Sequence, residues 1–130
     1  METILNNSAG VVGKYNNIPT AISSSASVVT IVDGLSVTKT ADKNVWADGV
    51  LTYTIVVSNQ TDKVYGVPII TDILDNNLLK FIDGSVIIDG IKATTSQYIF
   101  REDTNKLTVN LEDIQPTSIS TVIFQVARKS

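Results

Sequence analysis

Neither histidine nor cysteine occurs in the 130 residues, so the chemistry open to this chain is confined to carboxylates, lysines, hydroxyls and amides. That removes the commonest general base, thiol nucleophiles, zinc thiolate sites and disulfides. Gly10-Val11-Val12-Gly13-Lys14 has the outline of a phosphate loop, but such a loop needs four residues between its glycines and a Ser or Thr after the lysine. Tyr15 follows instead, and two glycines in a strand account for the segment. Asp42, Asn44 and Asp48 offer oxygen ligands at alternate positions, yet Trp46 takes a ligand slot and no Glu closes the loop. Asp72, Asp75 and Asn76 form a second oxygen cluster, although carboxylates at a strand exit ordinarily cap turns. Lys39 and Asn110 fall on expected strands, and a Lys and an Asn in such a sandwich can condense beside a carboxylate; residue type alone does not single this pair out. Trp46, the only tryptophan, is either a binding anchor or a cover for one end of the core. Asn6-Asn7-Ser8 and Asn59-Gln60-Thr61 fit the glycosylation pattern, which bears only on a eukaryotic secreted chain. No acid and base pair is recognisable, so the expectation is a chain that is not an enzyme and holds no metal or cofactor.

What must position these residues is a β-structure. The apolar fraction is 43% but only 6% is aromatic, so Val, Ile and Leu supply nearly all core volume, a composition that favours strands. Thirteen acidic residues against ten basic ones leave a net charge of −3 without a run of either sign, which argues against nucleic acid or an anionic membrane surface as partner. Residues 1–20 are broken by Asn, Ser and Gly, so neither a signal peptide nor a membrane span is expected.

Alternation is clearest in LTYTIVVSN, where Leu51, Tyr53, Ile55 and Val57 share one face. Leu107, Val109 and Leu111, and then Val122, Phe124 and Val126, repeat the pattern. Further strands are expected over 35–40, 64–71, 85–92 and 97–101. Asp48-Gly49, Asp83-Gly84 and Asp89-Gly90 supply turns. Asp72 to Phe81 is too short and Asn-rich for a helix and reads as a crossing between sheets. Residues 1–32 read as two polar-faced strands joined around Asn16-Asn17-Ile18-Pro19. The spacing predicts an all-β, immunoglobulin-like antiparallel β-sandwich over 35–130, with an N-terminal β-hairpin extension over 1–32 and a short linker at 33–34.

The segment Leu35 to Leu74 resembles the conserved-repeat domain of bacterial surface proteins, the domain of unknown function number eleven. Thr38-Lys39-Thr40, Asp48-Gly49, Tyr53-Thr54-Ile55, Asn59 and Thr71-Asp72 occupy the places of that pattern. The resemblance continues through FIDGSVIIDG and ISTVIFQVA, although Gln115-Pro116-Thr117 lacks the glycine of the family's last turn. It implies an immunoglobulin-like sandwich in cell-surface architecture and brings no catalytic residues. Family repeats continue past the equivalent of Val126 with further strands, whereas this sequence stops at Ser130 and carries at its start ILNNSAGVVGKY and TAISSSASVVTIV, which resemble that tail.

The chain thus reads as the tail of one repeat ahead of the body of the next. An open groove recruits strands, and the hairpin is expected to fill the groove of a neighbouring copy. Donor positions are Ile4, Val11, Val12, Ile22, Val28, Val29 and Ile31; acceptor positions are Val122, Phe124 and Val126. Only Asp33 and Gly34 are taken to link hairpin and body, and two residues reach about 7 Å against roughly 20 Å for a strand. The expected function is a structural subunit that polymerises head-to-tail with itself into a fibre or appendage on a bacterial cell or spore surface. A monomeric adhesion or ligand-binding module is the alternative.

Overall fold

A computed structural model of the chain describes residues 9–15, 18–23, 34–43, 49–75 and 77–129, the stretch 18–23 by its backbone. The expected positions Ile4, Val28, Val29, Ile31 and Asp33, the Asn16-Asn17 turn, Trp46 and Asn76 lie outside the described residues.

Eleven strands are described: β1 Ala9–Tyr15, β2 Ile18–Ser23, β3 Leu35–Ala41, β4 Val50–Asn59, β5 Tyr65–Ile73, β6 Leu79–Phe81, β7 Ile87–Ile88, β8 Ile91–Lys92, β9 Tyr98–Arg101, β10 Lys106–Asn110 and β11 Ser118–Arg128. They form two antiparallel sheets, ordered β2-β1-β5-β10-β9 and β3-β4-β11-β7-β8, with β6 also paired to β11. The chain is an all-β sandwich. Its core is the set of inward side chains that alternation assigns. Leu51, Tyr53, Ile55 and Val57 of β4 face Leu107 and Val109 of β10, and all are buried.

The segment after β5 behaves as its composition requires. Asp75 caps the turn by accepting a hydrogen bond from the Asn77 N–H at 2.8 Å, and β6 then joins the opposite sheet against β11. Asp89 and Gly90 both take positive φ, 50° and 83°, which a two-residue hairpin between β7 and β8 demands. Asp89 does more than turn the chain: its carboxylate accepts from the Thr121 N–H at 2.8 Å and so fastens the hairpin to β11.

Asn59 is fully buried where β4 ends. Its side-chain amide donates to the carbonyls of Lys63 and Ile114, at 2.8 and 2.9 Å, while its Oδ1 accepts from the Thr61 hydroxyl and N–H. One side chain therefore closes the β4–β5 loop and ties it to the segment ahead of β11. This gives a physical reason for an asparagine at that place in the pattern read from the sequence.

Candidate functional site

Two features stand out from an otherwise ordinary core, and both converge on β5.

The first is the docked N-terminal hairpin. β1 pairs antiparallel with β5 along its length, Ala9 opposite Asp72, Val11 opposite Ile70 and Tyr15 opposite Tyr65. β2 lies on its other side, Val11 opposite Ile22. Ala9 and Val11 point into the core and are 2% and 1% exposed, whereas Val12 points outward and is 51% exposed. The ladder shifts register between Val12 and Lys14. A side chain at Gly13 would meet the Tyr65 ring at 2.8 Å and the Gly66 carbonyl at 2.9 Å, so the close approach there depends on glycine. Of the expected donor positions, Val11 is thus buried in this chain's own sandwich, Val12 lies on its surface, and Ile22 is placed by backbone register alone. The expected acceptor side chains Val122, Phe124 and Val126 are core residues of β11, in the sheet opposite β1, and are wholly buried.

β2 as described ends at Ser23 and β3 begins at Leu35, with eleven positions between them, of which 24–33, including Asp33 of the expected linker, lie outside the described residues. Gly34 takes φ 95° and its carbonyl accepts from the Gln60 N–H at 2.8 Å, which anchors the entry into β3. Eleven residues reach roughly 36 Å. The return from the level of Asp72 to that of Leu35 is about four strand residues plus the gap between sheets, on the order of 16 Å. Reach alone therefore permits the pairing within one chain.

The second feature is an ion pair inside the sandwich. Lys39 of β3 is in phase with the buried Leu35 and Val37, and Asp72 of β5 is in phase with the buried Ile70, so both occupy inward slots that alternation assigns to apolar side chains. Lys39 Nζ donates to Asp72 Oδ2 at 2.5 Å, and the two side chains are 2% and 0% exposed. The ammonium lies 4.2 Å from the centre of the Tyr53 ring and 5.5 Å from that of Phe124. Burial pulls the Lys39 amine below its ordinary range, although the charge of Asp72 and its hydrogen bond act in the opposite sense. The contact joins the two sheets through residues far apart in sequence.

Lys39 thus meets Asp72 and not Asn110, which is exposed on β10. Asp72 faces inward as a pair partner, and Asp75 serves its turn; among the described residues no group of three acidic side chains is placed to hold a metal ion. Sequence reasoning had a signal for the Lys39–Asp72 pair and did not use it. A lysine in phase with Leu35 and Val37 and an aspartate in phase with Ile70 are conspicuous on inward faces. An open depression beside β6 is lined by Phe81, Phe100, Asp83, Glu102 and Lys129, with the Phe81 and Phe100 rings stacked at 4.7 Å.

In comparisons with known proteins the chain matches no family model, no curated protein and no solved structure.

Proposed function

We propose that this chain is a structural subunit that assembles head-to-tail, each copy lending its N-terminal hairpin to the sandwich of the next, in a fibre or appendage on a bacterial cell or spore surface. The observation that carries this reading is the strand order. An immunoglobulin-like sandwich sets strands A-B-E-D against G-F-C. Here β3-β4-β11-β7 corresponds to A-B-E-D and β2-β1-β5 to G-F-C, with β10 and β9 extending the second sheet. On that reading the F and G places fall to strands that precede A in the chain.

Such an order makes the hairpin separable. The backbone ladder that β1 forms on β5 is the same whether the hairpin comes from its own chain or from a neighbour, so the choice rests on the connection and on concentration. Main-chain pairing supplies strength, and the inward positions Ala9 and Val11 supply register. The resemblance of Leu35 to Leu74 to a bacterial surface repeat agrees with this reading but rests on pattern alone. Pairing within the single chain favours the second reading, a closed monomeric adhesion or ligand-binding module.

The connection separates the two. Deleting residues 24–32 leaves Asp33-Gly34, which reach about 7 Å, short of the return path, so the hairpin can no longer dock on its own chain. The deletion also removes the expected donor positions Val28, Val29 and Ile31, so the exchange it tests is that of β1 and β2. Exchange predicts that the shortened protein forms filaments or rings visible by negative staining and that its mass by light scattering rises with concentration. The unaltered chain should do the same more slowly. A shortened protein that stays monomeric at high concentration, with its hairpin open to protease, would sink the exchange reading.

A further inference from the structure

We propose that Lys39 and Asp72 are the two halves of an intramolecular amide cross-link, formed by loss of one water molecule, that joins the two sheets covalently. The pair lies within the body, so the inference stands independently of hairpin exchange.

Geometry and surroundings carry it. The amine and the carboxylate are in contact at 2.5 Å with side chains 2% and 0% exposed, so the two reacting groups are already held side by side. In water both ions are well solvated and condensation is unfavourable. Inside the sandwich that solvation is stripped away, which disfavours both charged forms, while the Tyr53 and Phe124 ring faces, 4.2 and 5.5 Å from the ammonium, act in the opposite sense by holding the cation. The depressed affinity of the Lys39 amine for its proton follows the desolvation.

The step balances without an added reagent. The ammonium gives one proton to the carboxylate, leaving a neutral amine facing a neutral carboxyl group. The Nζ lone pair adds to Cγ of Asp72 and the C–N bond forms. The nitrogen then passes a second proton to the departing hydroxyl, the C–O bond breaks, and water leaves. A neutral amide replaces two buried charges, so the product suits the site better than the reactants do.

The test is the intact mass of the full chain, purified and denatured, with protease mapping. The expected mass is lower than the sequence value by one water, with a branched peptide joining the segments around Lys39 and Asp72. Lys39→Arg and Asp72→Ala should each restore the full sequence mass, a readout that does not require the variant to fold. The proposal is overturned by a full sequence mass after prolonged incubation at neutral pH, or by a loss that persists in Lys39→Arg. Loss of ammonia in place of water would equally overturn it, because the acyl group would then come from an asparagine.

Discussion

At the scale of single residues, the buried polar groups separate into those that complete a loop and those that interrupt a core. Asn59 is of the first kind. Asn59→Ala leaves the Thr61 N–H without the acceptor it has, while the Lys63 and Ile114 carbonyls lose one donor each and keep the Thr61 hydroxyl and the Tyr65 N–H. The expected loss is about 1–3 kcal/mol for each buried group left without a partner, read as a lower denaturant midpoint with an unchanged slope. Tyr65 is fully buried, and burial pushes its phenol from 10.0 up to about 12. Between those values the folded chain holds a proton that the unfolded chain has lost, so the contribution is complete below pH 10 and fades as pH rises towards 12. Stability measured across that alkaline range should fall more steeply for the native protein than for Tyr65→Phe; parallel curves would mean that the phenol is solvated. Lys39 and Asp72 are of the second kind. Their inward phase was legible in the sequence, but their partnership was not, because nothing local says which slots of two opposite sheets will meet.

Elements were legible to the degree that they alternate. β4, β10 and β11 show period two over enough residues to fix both existence and face, and they occur where the pattern puts them. β6, β7 and β8 have three, two and two residues, too few for any period, and they exist because β11 and each other offer a ladder. The expected strand over 85–92 is accordingly a two-residue hairpin at its end. β1 illustrates a different limit: its strand character could be read, but its partner β5 lies some 55 residues further on and is reached past three other strands. Its docking can be tested by period. Val11→Asp places a charge in the core and forfeits about 1.5–3 kcal/mol of burial, whereas Val12→Asp on the outer face should stay within about 0.5 kcal/mol. Chemical denaturation of the two variants decides the matter, and equal losses would contradict the register.

For the molecule as a whole, the sandwich could be inferred from composition and turn spacing, whereas the seating of the N-terminal strands within it could not. The resemblance pointed to a tail placed ahead of a body, and only tertiary pairing shows the leading hairpin lying against β5. Val28 to Val32, whose β-propensity set the expected end of the hairpin, lies outside the described residues, which place β1 and β2 beside β5. That arrangement also has a mechanical side. β1 is held by ladders on both flanks, β2 and β5, whose hydrogen bonds run across the strand. A pull applied ahead of Ala9 and along the strand shears the β1–β5 bonds together, whereas a sideways pull on β2 opens its ladder pair by pair. Single-molecule stretching should therefore find high resistance along the strand axis, lowered by Val11→Asp and not by Val12→Asp. A load entering β5 passes on through Lys39 and Asp72 into β3, so the tension would be shared by both sheets rather than borne by the one that receives it.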